Sequence, residues 1–401
     1  MSNMRFASLC SGLEVFTMVV TAIKRALRLY GFEEPTVVHE LSCEIDDKKR
    51  ALCTTISPGV KHVYADLLEL AEGAAFDEVD QCTNSPESPN VVAAGFSCKD
   101  LSSISNFKVK FSGTKGTSIK TFKASVKCIA QWKPAMVILE NVKAATASRS
   151  CDNGKRPVDF IDSELGKIGY IGAHRICDSK MFGVPQRRAR TWWIYFRIGE
   201  GDPESAIACT SRFQSRPVAV KDFIPVSEQT FIKPAGTWGT GTRWKQKCKD
   251  FQKQHGIKDY EIENAKKIIR QSHFHKTLTM RNVTNIACSL ALHLFKYKKD
   301  PIVTPLFIQY DQDVPRQPVG TNIVPCIMPK GRYWFVSGIP EQQRPLFAKD
   351  MLLLQGVGPE EYKTFKLEKL SETLKKDLAG NAFNGEVCCA ITLSGILQMR
   401  A

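Results

Sequence analysis

The chain contains 401 residues, enough for two domains and a sizeable core, and its charged fraction of 24% and hydrophobic fraction of 43% are typical of a soluble globular protein. No apolar run approaches the roughly 18 residues of a membrane-spanning helix, and the N-terminus lacks the layout of a secretion signal, so we expect neither secretion nor a membrane segment. A net charge of +15 predicts a polyanionic partner, although a merely basic surface explains it equally well.

Cysteine is abundant, with 14 residues in the chain. Because no secretion signal is evident, we expect free thiols in a reducing, intracellular compartment, which would be the nucleus if the source is eukaryotic. The sequence contains no CxxC pair and no Cys/His cluster at zinc-ligand spacing. We therefore expect no bound metal.

Short apolar runs alternate with helix-like stretches as far as about residue 198. The runs predict strands at residues 5–9, 36–43, 62–65, 91–94, 135–139, 170–176 and 191–197. Helices are predicted between them at residues 15–30, 46–56, 120–132 and 158–168. This alternation is typical of an α/β protein with a doubly wound, mostly parallel sheet.

The pattern changes after Gly199. As far as Pro345, prolines, glycines and basic residues are dense and the alternation of strands and helices is lost, which predicts a second, irregular domain. Within it, residues 236–242 indicate a loop and residues 260–271 a basic helix. Helices are predicted again at residues 347–355 and 387–397.

Residues 91–103 form the most informative stretch. An apolar run ends in Gly95, Cys98 follows on a predicted loop, and Glu140 follows the next such run. In an open α/β sheet, ligands bind at the carboxyl ends of the strands. A thiol and a carboxylic acid at that edge suit covalent chemistry on a flat, electron-poor ring, although either residue taken singly is more often structural.

Three further residues follow successive predicted strands. Gly12 ends a small-residue turn that lets the backbone approach a ligand, while Glu44 could accept hydrogen bonds from ribose hydroxyls and Asp66 from an adenine amino group. Each alone is more often an ordinary surface residue. In register, they predict an adenosine-type pocket.

Basic and aromatic residues are interleaved between residues 238 and 299, including Trp238 and Trp244. This combination favours a nucleic-acid surface, with a solvated charged face as the alternative. The predicted phosphate contacts lie beside Trp244 in a predicted loop: Arg243, Lys245, Lys247 and Lys249.

Seven segments carry a family resemblance, in the order FASLCSG, CEID, AD, GFSCKDLS, ENV, GVPQRRARTWW and AGNAFNGEV. This ordered set resembles the C5-cytosine methyltransferase family through nearly the whole chain, with residues 199–345 matching only in position. The resemblance implies a Rossmann-like catalytic domain that binds S-adenosyl-L-methionine (AdoMet) over residues 1–198. It also implies a small target-recognition domain over residues 199–375 and a C-terminal segment, residues 376–401, that returns to the catalytic domain.

The resemblance implies a reaction and a set of roles. Cys98 would attack C6 of a cytosine extruded from double-stranded DNA and Glu140 would assist at N3, so that C5 can accept a methyl group from AdoMet. Arg188 and Arg190 would lie near the flipped base and its phosphate. AdoMet would be held by Leu9, Cys10, Ser11, Gly12, Glu44, Ile45, Asp66, Leu67, Asn381 and Ala382. Ser97, Asn141 and Gln186 would contact the substrate, and we expect a monomer.

The chain departs from the family pattern at several motifs. It has Ser97-Cys98-Lys99 where the family usually has Pro-Cys-Gln, Glu14 in place of a glycine, a loose ninth motif from Arg344, and Phe383-Asn384 where Val-Pro is common. Two alternatives therefore stay open. One is a tRNA cytosine-5 methyltransferase, whose Cys-Phe-Thr signature is missing here, and the other is a catalytically silent DNA- or chromatin-binding homologue. A dinucleotide oxidoreductase is disfavoured because its glycine fingerprint is absent.

Overall fold

The structure is a computed structural model. It describes residues 3–10, 12–102, 110, 111, 113, 115–148, 152–223, 241–301, 303–339 and 342–400. The predicted cofactor residue Ser11, the aromatic residue Trp238 and most of the predicted loop at residues 236–242 lie outside these ranges.

A nine-stranded sheet forms the centre of the described part of the chain. Its strands are β1 (Asn3–Leu9), β2 (Thr36–Cys43), β3 (His62–Tyr64), β4 (Ala75–Asp77), β5 (Cys82–Asn84), β6 (Val91–Ala94), β7 (Met136–Val142), β8 (Tyr170–Asp178) and β9 (Ala189–Arg197). They lie in the order β5-β4-β3-β2-β1-β6-β7-β9-β8. The run from β3 to β7 is parallel, and β9 is antiparallel to both of its neighbours. The predicted α/β class with a mostly parallel sheet is confirmed.

Helices cover both faces of this sheet. The first seven are α1 (Val15–Leu29), α2 (Asp47–Ile56), α3 (Leu67–Leu70), α4 (Thr117–Trp132), α5 (Pro157–Lys167), α6 (Pro203–Cys209) and α7 (Val220–Phe223). The others are α8 (Thr242–His255), α9 (Asp259–Arg270), α10 (Met280–Ala291), α11 (Ala348–Leu353), α12 (Pro359–Thr364), α13 (Glu372–Asn381) and α14 (Gly385–Ile396). None of the helices in the described ranges is long and apolar enough to cross a membrane.

Alternating side chains of the central strands form two cores, as the two-residue period of a strand requires. Phe6 and Ile138 belong to the core that α1 and α14 cover, whereas Ala7 and Leu139 belong to the core that α4 and α5 cover. Because both faces of the central strands are buried, these strands are rich in apolar residues on both faces. This explains why their limits could be predicted closely from the sequence.

A smaller antiparallel sheet packs against the core of the nine-stranded sheet on one side and against helices α8, α9 and α10 on the other. It consists of β10 (Leu306–Gln309), β11 (Val319–Thr321), β12 (Tyr333–Val336) and β13 (Arg344–Pro345), in the order β11-β10-β12-β13. Phe307 joins the core of the large sheet, while its neighbours Leu306 and Ile308 join the core formed by α8, α9 and α10. The segment thus contains more regular structure than its sequence indicates, because its strands are only two to four residues long.

The residues that follow the predicted domain limits pack against the large sheet and its helices. Helix α6 packs against β8, β9 and α14, and apolar side chains of α11, α12 and α13 belong to the core on the α1 face of the large sheet. Residues on both sides of the limits at 198 and 375 therefore share one core. The division of the chain into domains stays a prediction.

Candidate active site

The register of the parallel strands places the predicted functional residues along one edge of the sheet. Leu9 pairs with Cys43 on one side and with Ala94 on the other, and Ala94 pairs with Leu139. Cys10, Glu44, Gly95 and Glu140 come directly after these four residues. The carboxyl ends of β1, β2, β6 and β7 therefore meet where an open α/β sheet binds its ligands.

The loop after β6 exposes Cys98 to solvent. The Cys98 carbonyl accepts hydrogen bonds from the backbone N–H groups of Leu101 and Ser102, at 3.0 and 2.9 Å, which fold the loop into a tight turn. The loop is also attached to the start of α4, because Asp100 N donates to Ser118 Oγ at 2.9 Å and Ser118 N donates to Asp100 Oδ2 at 2.7 Å. The exposed thiol thus stands on an anchored loop.

Ser97 occupies the position where the family usually has a proline. Its N–H donates to Thr121 Oγ1 on α4 at 3.1 Å, a bond that proline, lacking a backbone N–H, could not make. The rigidity that proline would supply is here supplied by a hydrogen bond to the neighbouring helix.

Asn141, on β7, holds the same loop by a hydrogen bond to its backbone. Its side chain is 1% exposed, its Nδ2 donates to the Phe96 carbonyl at 2.8 Å, and its Oδ1 accepts from Val142 N at 2.9 Å. Since both amide atoms already bond to the backbone, Asn141 positions the Cys98 loop. Its assignment as a substrate contact stays a prediction.

Glu140 and Arg190 form an ion pair beside Cys98, with 3.2 Å between Arg190 Nε and Glu140 Oε1. Burial raises the pKa of Glu140 above its ordinary value, opposed by Arg190 and Arg188. The pKa of Cys98 is also raised, first because neighbouring protein atoms exclude water from the sulfur and then because of the charge of Glu140. The residue as a whole is nevertheless exposed. Each of these two groups therefore gives up its proton at a higher pH than it would in water.

Arg188 is enclosed, although the resemblance implied a place near the flipped base. Its guanidinium donates to the carbonyls of Ile327, Gly380 and Ala382, at 3.1, 3.2 and 2.7 Å. Burial, and then Arg190, lower its pKa. Arg188 therefore joins the end of α13 and the residue after it to the large sheet, and its assignment near the base stays a prediction.

Cys326 is a member of this cluster that was not predicted from the sequence. Its Sγ lies 3.6 Å from Arg190 Nη2 and 3.9 Å from Arg188 Nη1. Two backbone hydrogen bonds of 2.8 Å, Arg187 N to the Val324 carbonyl and Val324 N to the Pro185 carbonyl, bring this segment to β9. No motif marks such a tertiary contact, so only the fold reveals it.

The predicted AdoMet residues surround the ends of β1, β2 and β3. Glu44 Oε2 accepts from Gly12 N at 2.8 Å, and its Oε1 accepts from Asp46 N at 3.0 Å. Ile45 is 69% exposed next to this carboxylate, whereas Leu67 is buried. Asp66 Oδ1 caps α3 by accepting from Leu68 N at 2.8 Å. An apolar side chain and two carboxylates with free acceptor capacity thus face the same edge.

The turn after β1 has an unusual backbone. Cys10, Gly12 and Glu14 have φ values of 53°, 55° and 55°, in the left-handed region where only glycine is free of strain. Burial, and then Glu44, raise the pKa of Cys10 to about 12. The tight turn brings the Gly12 N–H to the Glu44 carboxylate.

Glu14, which replaces a glycine of the family, is buried and faces away from this edge. Its Oε2 accepts from Thr17 Oγ1 at 2.8 Å, and its Oε1 accepts from Cys53 Sγ at 3.5 Å. The substitution therefore fills space between α1 and α2 and leaves the predicted cofactor edge open.

The segment after α13 closes the site. Asn381 is exposed and its Nδ2 donates to the Asp377 carbonyl at 3.0 Å, while Ala382 is buried and its carbonyl binds Arg188. The Phe383 ring lies so close to Gly95 that a Cβ there would be 2.7 Å from the ring. A glycine at residue 95 is therefore needed for this contact.

Comparison with known proteins identifies the family. A family model described as C-5 cytosine-specific DNA methylase matches residues 4–394. The chain belongs to this family. The suspected resemblance is thereby confirmed.

Curated relatives share parts of the chain. DNA (cytosine-5-)-methyltransferase DMT5 of Cryptococcus neoformans is 27% identical over 191 residues, which cover 47% of this chain and 7% of that protein. Type II methyltransferase M2.BsuMI of Bacillus subtilis is 30% identical over 160 residues, 40% of this chain and 36% of that protein. The chain therefore matches well under half the length of these relatives. The S. pombe Dnmt2 methyltransferase structure aligns over 98% of both chains with a TM-score of 0.52 at 14% identity, a likeness of fold.

Gln186, which the resemblance assigns to substrate contact, is enclosed by the protein. It is fully buried, and neither its Oε1 nor its Nε2 has a hydrogen-bond partner in the described part of the chain. Its assignment as a substrate contact stays a prediction. A base could reach it only if the surrounding segments rearranged.

The predicted loop around Trp244 is wrong, because residues 242–255 form helix α8. Trp244 is buried and its Nε1 donates to Asn285 Oδ1 at 3.0 Å, so it belongs to the core. Apolar residues at positions 244, 248 and 251 have helical spacing, but the lysines between them hide that pattern. Lys247 forms an ion pair with Asp313, whereas three of the predicted phosphate contacts are exposed: Arg243, Lys245 and Lys249.

The described residues contain one group with the ligand types of a metal site: His62, Asp77 and Asp80, whose ligand atoms lie within 4.8 Å of one another. It lies at the start of β3, the end opposite the candidate site. Asp77 Oδ2 is 2.7 Å from His62 Nδ1, so these atoms already satisfy each other. The expectation of a metal-free protein stays a prediction.

Proposed function

We propose that the protein transfers a methyl group from AdoMet to C5 of cytosine in DNA, through a covalent adduct between Cys98 and C6 of the base. The observation that carries this proposal is the placement of an exposed thiol beside the Glu140–Arg190 ion pair at the carboxyl edge of the sheet. Membership of the C-5 cytosine-specific DNA methylase family supports it.

The residues at the ends of β1, β2 and β3 fit AdoMet. The Glu44 carboxylate accepts one hydrogen bond at each oxygen and retains lone pairs for two ribose hydroxyls. The exposed Ile45 would cover the adenine ring, and the free oxygen of Asp66 would accept from its amino group. When bound, AdoMet supplies an electrophilic methyl group.

Cys98 provides the nucleophile. As its thiol loses a proton, the sulfur forms a bond to C6 and the electrons of the C5–C6 double bond move toward C5 and the N3 side of the ring. Burial raises the pKa of Glu140, so its carboxyl is better able than an ordinary one to carry a proton and to donate it to N3 as negative charge develops there. Arg190 orients this carboxyl through its Nε.

The adduct then breaks down. Once C5 carries the methyl group, its proton passes to solvent, the electrons of that C–H bond restore the C5–C6 double bond, and the C6–S bond breaks to release Cys98 as a thiolate that takes up a proton from solvent. Glu140 takes back the N3 proton. The thiol and the carboxyl return to their starting protonation states, as a catalyst must.

DNA is the proposed substrate because the chain is strongly basic, with 56 Lys and Arg against 41 Asp and Glu. Helix α8 presents exposed cations that can neutralise phosphates: Arg243, Lys245 and Lys249. A base stacked in a duplex cannot reach Cys98, so it must be extruded, at a cost of a few kcal/mol.

The test is transfer of label from radioactive AdoMet to duplex DNA, hemimethylated duplex DNA and total tRNA in separate reactions. Cys98→Ala is the test variant and Cys82→Ala the control, since Cys82 is an exposed thiol on β5. Label in DNA with wild type and Cys82→Ala, but not with Cys98→Ala, supports the proposal. Label in tRNA alone would replace DNA by tRNA as the substrate, and no label despite AdoMet binding by calorimetry would indicate a silent homologue.

A further inference from the structure

Cys326 lies inside the candidate site but has no part in the mechanism above. It is partly exposed, and its sulfur contacts guanidinium nitrogens of both Arg190 and Arg188, at 3.6 and 3.9 Å. Arg188 is 3% exposed, and its Nε has no partner in the described part of the chain. Two cations thus face the sulfur of one partly exposed cysteine.

This environment distinguishes Cys326 from Cys98. Burial alone would raise the pKa of Cys326, but Arg190 and then Arg188 outweigh it and hold that pKa below the ordinary value. The pKa of Cys98 is instead raised. Accessible cysteines in electropositive surroundings are the ones that react as thiolates.

The same cations select the charge of a reagent. Arg188 and Arg190 contribute two positive charges to the cluster around Cys326, against the one carboxylate of Glu140. An anionic molecule is therefore attracted to the thiol and a cationic one is repelled.

We propose that Cys326 is a modification site that forms a mixed disulfide with an anionic low-molecular-weight disulfide of the glutathione disulfide class. The Cys326 thiolate attacks one sulfur of the reagent, a new S–S bond forms, and the reagent's S–S bond breaks. Its second half leaves as a thiolate that takes up a proton. Cys326 is oxidised and the reagent is reduced, so no other oxidant is needed.

The adduct lies against Arg190 and hence beside Glu140 and Cys98. It would occupy the space a flipped base needs, so modification should stop methyl transfer until a reductant removes the adduct. Only this consequence rests on the proposed function, because adduct formation can be followed by mass in a protein with no measurable activity.

The experiment exposes the full chain to glutathione disulfide at neutral pH and measures the modification of each cysteine over time by peptide mass spectrometry. Cys82 is the control in the same chain, because it is an exposed cysteine on β5, paired across the strands with Asp77. We expect Cys326 to react at least about threefold faster than Cys82, because two guanidinium groups contact its sulfur and favour the thiolate, a gain that the lower nucleophilicity of a more acidic thiol offsets only in part.

A second reagent isolates the role of charge. With cystamine, a cationic disulfide, the preference for Cys326 over Cys82 should shrink or reverse. Cys326→Ser should remove the fast adduct and leave the slow ones. The proposal would be overturned if Cys82 or Cys98 were modified faster than Cys326, or if the preference for Cys326 were the same with both reagents. Both comparisons use the wild-type chain, so they do not depend on whether a variant folds.

Discussion

Replacing Arg188 with alanine should destabilise the protein strongly, although Arg188 lies beside an exposed arginine. Its guanidinium donates to three carbonyls of two distant segments: Ile327, Gly380 and Ala382. At about 1.5–3 kcal/mol for each hydrogen bond to a charged group, the gross contribution is about 4.5–9 kcal/mol. Burying the guanidinium offsets part of this, as its lowered pKa indicates. We expect a net loss of about 3–5 kcal/mol in the free energy of unfolding.

Urea unfolding followed by circular dichroism measures this loss, and Arg187 provides the matched control. Arg187 is adjacent in sequence and contacts the Val324 carbonyl through its backbone N–H, while its side chain is exposed. Arg187→Ala should therefore change the stability by less than about 0.5 kcal/mol. Equal unfolding midpoints for the two variants would refute the idea that Arg188 fastens the C-terminal segment to the sheet.

Three further outcomes are expected. Glu140→Gln should slow single-turnover methyl transfer by a factor of roughly 10²–10⁴. Because the pKa of Glu140 is raised, the wild-type protein should keep the acid assistance of this carboxyl to a higher pH than an ordinary carboxyl allows, and should lose it as the pH rises further. The rate of the variant should not show this decline. Glu44→Ala should weaken AdoMet binding by about 1.5–3 kcal/mol in calorimetry without DNA, and unchanged affinity would mean that the cofactor edge is misassigned. Alanine at Arg243, Lys245 and Lys249 together should lower the salt slope of DNA binding by about 0.9 for each true phosphate contact, whereas titrations that superimpose on wild type at every salt concentration would mark these residues as a plain charged surface.

The central sheet could be predicted because its strands are buried on both faces and are rich in apolar and β-branched residues. The predicted strand at residues 36–43 coincides with β2 (Thr36–Cys43), and that at residues 91–94 with β6 (Val91–Ala94). The short strands of the smaller sheet could not be predicted in this way. Their two to four residues carry too little periodicity, and their stability comes from packing between two cores that are distant in sequence.

The candidate site was predicted where function depends on the end of a strand, and missed where it depends on tertiary contact. Cys98 and Glu140 follow apolar runs, so their placement on one edge could be deduced from strand order alone. Arg188 and Cys326 are different. Whether an arginine faces a base or three carbonyls, and whether a cysteine lies beside it, depends on segments more than a hundred residues away.

The loop that carries Cys98 shows how a motif can change while its geometry is kept. Proline before the nucleophile would restrict the backbone without help from the rest of the protein, whereas Ser97 has a freer backbone and a donor that needs a partner. Thr121 on α4 accepts that donor, while Asp100 and Ser118 exchange hydrogen bonds one turn earlier in the helix. The backbone of the loop is thus restricted by three hydrogen bonds in place of a proline ring. These bonds hold the loop only while the start of α4 is folded. Because Asn141 fixes the Phe96 carbonyl from the other side, the thiol is held between a helix and a strand.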